Sequence, residues 1–222
     1  MRGLHQVLGT PIDTASTPDR PEALFGCGCF WGAEKGFWRL PGVITTAVGY
    51  AGGSTEQPRY EQVCSGRTGH AEVVRVVWDP ERVDFSDLLK LFWECHDPTQ
   101  GDRQGNDRGS QYRSAIFVNE PALLELAQAS RDRYQALLAA AGFGRITTEI
   151  GAGRRFHFAE DYHQQYLARP GSRPYCSAQP SGVALDPFPG ASYRLPEAVW
   201  QAYDWRVPHC VLRGENTPIP LP

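Results

Sequence analysis

Two features of the chain predict an α/β protein of the α+β kind. Short apolar runs bounded by Gly, Pro and Asp alternate with stretches of helical periodicity, and they fall in the order β-α-β-β-α-β before a closing α-β-α. That order is the ferredoxin-like, split β-α-β plan, a mostly antiparallel sheet with helices packed on it as a two-layer sandwich. Irregular coil extends it at both ends.

Each element has a local reason. Residues 23–28 read as a short strand, and residues 32–40 as a helix stopped by Pro41-Gly42. Residues 43–50 form a second strand that closes on Gly52-Gly53. The clearest strand is 70–78, His-Ala-Glu-Val-Val-Arg-Val-Val-Trp, ended by Asp79-Pro80. Residues 85–94 place leucines and aromatics at helical spacing behind Asp84 as cap. A strand at 114–118 leads to a long helix at 121–141, with Asn119 as cap and Pro121 in the first turn. Residues 146–150 read as a fifth strand and 159–167 as a further short helix. Residues 52–69 and 97–113 are polar and Gly-rich and read as irregular loops, the second too long for a simple connection. Such loops in a compact domain are usually functional.

The expected organisation is a polar N-terminal arm at 1–20, a catalytic domain at 21–170 and a coil-rich C-terminal segment at 171–222, with a short helix within 194–206. A chain of 222 residues, 41% hydrophobic and 21% charged, can bury a full core. A net charge of −3 without a Lys/Arg run argues against nucleic acid as a partner. Residues 1–21 lack the apolar centre of a signal peptide, and no stretch reaches the roughly 18 apolar residues of a membrane span. A cytoplasmic location is therefore expected, with the six cysteines free or redox-active rather than a disulfide framework.

Cys29 stands out among them. It lies in Gly28-Cys29-Phe30-Trp31-Gly32, where a strand gives way to a helix. Unpaired N–H groups and the positive dipole end of a helix favour a thiolate, which is the nucleophilic form. Flanking glycines leave the turn open, and Phe30 and Trp31 set two rings beside the sulfur. Three chemistries suit such a cysteine. A hydrolase or transferase needs a histidine base, and His70, His96, His157 and His163 lie in the folded part. A metal site is disfavoured, because the Cys27-x-Cys29 pair has no second paired cluster at zinc spacing. Redox chemistry needs an oxygenated sulfur as target and a second cysteine to resolve the product, or a sensor that oxidises without turnover.

Five blocks narrow the choice. Gly28-Cys29-Phe30-Trp31-Gly32, Gly69-His70-Ala71-Glu72, His96-Asp97-Pro98-Thr99-Gln100, Gln104-Gly105-Asn106-Asp107 and Gln111-Tyr112-Arg113-Ser114 occur in that order. Together they resemble the signatures of the peptide methionine sulfoxide reductase A family, over residues 23–176.

The resemblance implies an enzyme that reduces methionine S-sulfoxide, free or in proteins, as repair after oxidative damage. By the same resemblance Cys29 is the nucleophile and becomes a sulfenic acid. Glu72 supplies a proton to the departing oxygen, as a carboxyl that loses hydration beside aromatic rings. Tyr60 and Tyr112 hold the sulfoxide oxygen, Asp107 positions substrate or its water, and Phe30 and Trp31 cradle the methyl group. Cys176, in Arg-Pro-Tyr-Cys-Ser, matches the resolving cysteine that forms a disulfide with Cys29. The family often continues there with a Gly-rich run and sometimes another cysteine; this chain has Ser177-Ala178-Gln179-Pro180-Ser181 and Val183-Ala184-Leu185, so Cys210 is the remaining candidate for recycling. Cys64 and Cys95 read as packing residues and Cys27 as a strand residue. Implied partners are methionine sulfoxide in peptides and proteins, with thioredoxin as reductant. No metal or organic cofactor and no membrane are implied, and the chain is expected to act as a monomer.

Overall fold

The computed structural model describes residues 2–202 and 204–222. Strand β1 (Glu22–Cys27) runs into helix α1 (Phe30–Trp38) and returns as β2 (Val43–Ala51). A short helix, α2 (Tyr60–Cys64), precedes the valine-rich β3 (Ala71–Trp78), and helix α3 (Phe85–Glu94) follows it. A small hairpin, β4 (Arg103–Gln104) and β5 (Asp107–Arg108), leads to β6 (Ser114–Phe117), the long helix α4 (Pro121–Ala140), β7 (Glu149–Gly151) and β8 (His157–Phe158). Two short helices, α5 (Glu197–Gln201) and α6 (Cys210–Arg213), lie in the C-terminal segment.

The main sheet has the order β7-β6-β1-β3-β2-β8. Its centre, β6-β1-β3-β2, is antiparallel throughout and carries the expected split β-α-β plan. β7 adds to it in parallel beyond β6, and β8 closes the other edge beside β2.

Alternation across the strands sorts the side chains. Ala23, Phe25 and Cys27 of β1, with Val74, Val76 and Trp78 of β3, join the large core beneath the helices. Leu24, Ala71, Val73 and Phe117 form a smaller cluster on the opposite face. Phe25 is the hub of the helix side: its ring stacks on Phe37 of α1 at 4.6 Å and meets Phe92 of α3 at 5.6 Å. Glu72 shares the parity of Val74 and Val76, so the strand points it into the helix-facing layer, where it is 2% exposed. The surface position that polar alternation allows for Glu72 is excluded.

Helix α3 begins as its sequence dictates. Ser86 N donates to Asp84 at 2.8 Å while Asp84 N donates to Asp87 at 2.9 Å, a reciprocal cap. Helix α4 is capped at Glu120 instead of Asn119, whose side chain accepts from Gly153 N at 3.2 Å. The strand expected at 146–150 shrinks to Glu149–Gly151, because Ile146 N and Thr147 N donate to Gln135 and Pro98.

The helix expected at 159–167 does not form. Gln165 sits at φ 47, and only a 3-10 turn at Tyr166–Ala168 follows. Side chains have taken the local bonds: Gln164 accepts from Val48 N and donates to Val48 O and Ala159 O, while Gln165 N donates to Glu34 at 2.8 Å. Both loops read as irregular carry short structure, α2 in the first and the β4–β5 hairpin in the second. Repeats of two to five residues are too short to leave a periodic signal.

The terminal segments are docked on the core. At the N-terminal side, His5 Nδ1 accepts from Val7 N and Leu8 N, so its Nε2–H donates to Thr46 at 2.9 Å. Thr46 donates in turn to Glu34, which also accepts from Gln165. Arg75 donates to Ile12 O and Thr14 O and pairs with Glu22. The C-terminal segment is held by Lys35 donating to Gly214 O, Trp38 to Asn216 O, and by Glu94 and Asp87 accepting backbone N–H groups at Leu185 and Arg194. The short helix expected within 194–206 forms at Glu197–Gln201; Tyr203 lies outside the described residues.

Burial pulls the His5 imidazole down to about 4, so the folded protein holds it neutral. Its contribution is complete above the ordinary histidine value and is lost as pH falls through 6.5 toward 4. We expect His5→Ala to cost about 1–3 kcal/mol at pH 7. That deficit should shrink by about 2 kcal/mol at pH 5, where wild type loses the stability tied to the neutral ring. Urea midpoints at the two pH values measure it, and a deficit independent of pH would show that the arm is not docked through this ring.

Candidate active site

Cys29 occupies the N-cap of α1, at φ −55 and ψ 123. The turn that delivers it depends on Gly28, which sits at φ 88 and whose missing Cβ would lie 2.5 Å from the Gln104 side chain. Gln104 is itself fixed, donating to Asp97 O at 2.8 Å and accepting from Gln179 N at 3.0 Å. The loop after α3 and the coil before the C-terminus are thus locked to the turn that presents the thiol.

A cavity of about 400 Å³ opens at this point, lined by Cys29, Phe30, Trp31, Tyr60, Glu72, Asp107, Tyr112, Tyr166, Arg173 and Tyr175. Every catalytic and substrate-binding residue singled out from the sequence is among them. They come from separate elements: the start of α1, the start of α2, the head of β3, the β5 hairpin strand and the turn before β6.

Glu72 is anchored by Phe30 N, which donates to its Oε2 at 3.1 Å. Burial pushes the carboxyl up to about 8, against the Phe30 bond and with a further push from Asp107. At pH 7 the protonated form is therefore the favoured one. Asp107 accepts from the Tyr175 hydroxyl at 2.6 Å through one oxygen, and the other has no hydrogen-bond partner among the described residues. Burial keeps the Tyr60 and Tyr112 phenols protonated, with the Glu72 charge adding to the effect at both. Tyr60 is set in place by its own N–H, which donates to Glu160 at 2.9 Å; Tyr50 donates to the other oxygen of that carboxylate at 3.0 Å.

The aromatic wall is layered. Trp31 stacks on Tyr166 with centroids 3.8 Å apart, meets Tyr175 edge-on at 6.1 Å, and donates from its indole nitrogen to His163 at 3.2 Å. His163 is pulled down to about 4 by burial, so it is a neutral acceptor. It packs against Phe30 and Tyr60 at 5.2 and 4.8 Å. None of His70, His96, His157 and His163 is among the lining residues, and a Cys–His hydrolase finds no base here among the described residues.

The helix start does not make Cys29 a resting thiolate, contrary to the expectation from the sequence. Burial pushes the thiol well above its ordinary value, the Glu72 charge adds to this, and the Trp31 N–H opposes it. Partial charges at a helix end are worth little more than about 1 kcal/mol, and desolvation outweighs them. With Glu72 protonated its repulsion is absent, so thiol and carboxyl share one proton economy.

Cys176 is buried, and its sulfur would lie 2.8 Å from a Cβ at Gly32. It faces α1 from a neighbouring cavity, which Cys210 also lines, and not from the pocket that holds Cys29. Cys64, expected as a packing residue, is exposed on α2; Cys95 is partly exposed at the end of α3. Tyr166, Arg173 and Tyr175 escaped sequence reasoning. Only the place of Tyr175 beside Cys176 offered a signal; the others reach the pocket by long-range packing that leaves no local pattern.

A thiol, a proton-holding carboxyl and phenols inside an aromatic wall define a cysteine-dependent site suited to moving a proton onto a substrate oxygen. The comparisons agree with that class. The model of the peptide methionine sulfoxide reductase family matches residues 21–186. The chain is 59% identical over 183 residues to peptide methionine sulfoxide reductase MsrA of Salinispora arenicola, covering 81% of this chain and 82% of the relative. It is 58% identical to the MsrA of Azotobacter vinelandii, over 82% and 84% of the two chains. Among solved structures, methionine sulfoxide reductase A of Corynebacterium diphtheriae superposes with a TM-score of 0.74 at 47% identity, covering 83% of this chain and 89% of that one. Reduced Mxr1 of Saccharomyces cerevisiae gives a TM-score of 0.66 at 30% identity, covering 74% and 92%. The chain belongs to the peptide methionine sulfoxide reductase family.

The electrostatics can be read from alkylation. We expect iodoacetamide to modify Cys29 slowly at pH 7 and faster through the alkaline range, followed by mass spectrometry of the Cys29 peptide. Glu72→Gln should move that rise to lower pH, because a carboxylate that repels the thiolate is gone. Rapid modification at pH 6 would overturn the assignment of a resting thiol.

Proposed function

We propose that the chain reduces methionine S-sulfoxide, free or in proteins, by thiol chemistry at Cys29, and so repairs oxidised methionine. The observation that carries this reading is Glu72, a carboxyl buried at the head of β3, bonded to Phe30 N at the start of α1 and pushed up to about 8. Sulfoxide oxygen leaves only with protons, and a carboxyl that keeps its proton at neutral pH supplies one.

Cys29 Sγ attacks the sulfoxide sulfur while Glu72 protonates the oxygen. The oxygen passes to Cys29 as a sulfenic acid, and methionine departs as the thioether. Tyr60 and Tyr112, held as phenols, hydrogen-bond the oxygen as its charge grows. Phe30 and Trp31 receive the methyl group, a contact that favours one epimer because exchanging methyl and oxygen would set the oxygen against the rings. Asp107 positions the substrate or a water, with one oxygen already committed to Tyr175.

Cys176 then attacks the sulfenic sulfur, a Cys29–Cys176 disulfide forms and the oxygen leaves as water. Two thiols have supplied the two electrons. Because Cys176 lines the neighbouring cavity, the coil around it must shift for the sulfurs to meet. Thioredoxin reduces the disulfide, directly or after transfer to Cys210, which lines the same cavity as Cys176. A reducing cytoplasm suits such a cycle, and one chain contributes every group of the site, so a monomer suffices. Among the described residues, no helix is long and apolar enough to cross a membrane.

Cys29→Ser should abolish reduction of a methionine sulfoxide peptide with dithiothreitol; even a tenth of the wild-type rate retained would remove Cys29 as nucleophile. Glu72→Gln should slow the first turnover by about 10²–10⁴-fold. A raised carboxyl acts as an acid below its titration, so rapid-quench rates attributable to it should fall as pH rises through about 8 and lose that fall in Glu72→Gln. A two- or threefold loss in a stable variant would return Glu72 to a purely structural role. Cys176→Ser should release one methionine per chain but fail to cycle with thioredoxin, while dithiothreitol partly restores turnover. Each sulfoxide epimer is assayed separately, and equal rates would refute the methyl pocket.

A further inference from the structure

Cys27, Cys95, Cys176 and Cys210 line one cavity of about 20 Å³, behind the first turns of α1 and away from the substrate pocket. Cys27 at the end of β1 and Cys95 at the end of α3 also form, with His96 behind them, a cluster whose ligand atoms lie within 4.8 Å of one another. The set resembles a metal site, but the imidazole is committed. One ring nitrogen of His96 bonds Phe92 O at 2.7 Å, and the other bonds the Ser114 hydroxyl at 2.8 Å. What stays available is a pair of thiols. A disulfide holds its sulfurs about 2.05 Å apart, so this pair must close by less than about 3 Å.

Cys95 donates weakly to Phe92 O at 3.5 Å and is partly exposed, whereas Cys27 is buried. Cys176 forms another part of the same wall, packed where Gly32 leaves no side chain. The cavity therefore places the cysteine expected to carry the oxidised bond beside two thiols that the reduction of sulfoxide does not use.

We propose that Cys27 and Cys95 form a second dithiol that accepts the oxidising equivalent of one turnover from Cys176, so that a single chain reduces two methionine sulfoxides before it needs an external reductant. The proposal rests on the Cys29–Cys176 disulfide of the preceding reading. Cys95 attacks Cys176 Sγ, a Cys95–Cys176 bond forms and Cys29 leaves as a thiolate. Cys27 then attacks Cys95 Sγ, a Cys27–Cys95 bond forms and Cys176 leaves. The two protons lost by Cys95 and Cys27 are regained by Cys29 and Cys176. The oxidant is the substrate itself: the two electrons it gained from Cys29 and Cys176 are replaced from the second pair, and no further reagent is consumed. Cys29 is then free to meet a second sulfoxide.

Contact with Cys27, and then burial, hold the Cys95 thiol well above its ordinary value, which makes thiolate scarce and the exchange slow. Proximity within one cavity compensates, since fixed partners react at a high effective concentration.

The test counts methionine released per chain from a methionine S-sulfoxide peptide in excess, after the protein has been reduced and freed of dithiothreitol under anaerobic conditions. In Cys210→Ser, which has no relay thiol, two should be released, and only one once Cys95→Ala is added; Cys27→Ala should leave a Cys95–Cys176 mixed disulfide in place of the Cys27–Cys95 link. Disulfide mapping of the oxidised wild type should find a Cys27–Cys95 link beside Cys29–Cys176. One methionine from Cys210→Ser, or two from Cys210→Ser carrying Cys95→Ala, would overturn the second dithiol. No methionine from wild type would instead strike the underlying sulfoxide reading, so the two failures differ. Release of the first methionine shows that a variant has folded. Should both alanine variants fail to release it, the wild-type disulfide map decides alone, and a fully oxidised chain with reduced Cys27 and Cys95 rejects the proposal.

Discussion

The hydrogen bond from Phe30 N to the Glu72 carboxyl is the contact on which the site depends. It joins the head of β3 to the first turn of α1, and it satisfies a backbone N–H that a helix start leaves without an intrahelical partner. The same burial that makes the bond necessary raises the carboxyl to about 8 and keeps a proton beside the thiol. Structure and chemistry are set by one environment. An ionised carboxylate would bond the N–H more strongly, but desolvation outweighs that gain and leaves the acid form in place.

Around this contact the protein builds a frame of buried polar groups joined by hydrogen bonds. Glu34, at 0% exposure, gathers Thr46 and Gln165, and Thr46 in turn receives His5. Burial raises this second carboxyl to about 7, against its hydrogen bonds and the Arg169 charge, so it too sits near neutrality. The network spans the N-terminal arm, α1, β2 and the segment after β8. It fixes α1 one turn beyond Phe30 and Trp31, while Glu160 and His163 support Tyr60 and Trp31 beside the pocket.

Five of the six cysteines divide between two cavities at the α1 start, and Cys64 lies exposed on α2. Cys29 faces the substrate pocket; Cys27, Cys95, Cys176 and Cys210 share the other. Gly32 is the thin point of the wall, since any side chain there would meet Cys176 Sγ at 2.8 Å. In the proposed cycle this partition separates the step that takes oxygen from the steps that dispose of the oxidised bond. It also keeps the second group of thiols away from a sulfoxide bound among the aromatic rings.

The sequence by itself determined the order of the larger elements from β1 to α4, the split β-α-β plan and the pocket residues Cys29, Phe30, Trp31, Tyr60, Glu72, Asp107 and Tyr112. Valine alternation, the Asp84 cap and the five family blocks are local signals, and local signals survive in a linear reading. The short helix at Tyr60–Cys64 and the hairpin at 103–108 were hidden because they span too few residues for a period. The helix read at 159–167 failed because Gln164 and Gln165 bond to β2 and α1, distant in sequence. Tertiary structure alone decided protonation: the helix start argues for a thiolate at Cys29, and enclosure reverses it. It also decided that Cys27 meets Cys95 and that Tyr166 stacks on Trp31. Desolvation and long-range contact are sums over everything that packs around a group, and no short stretch of sequence contains them.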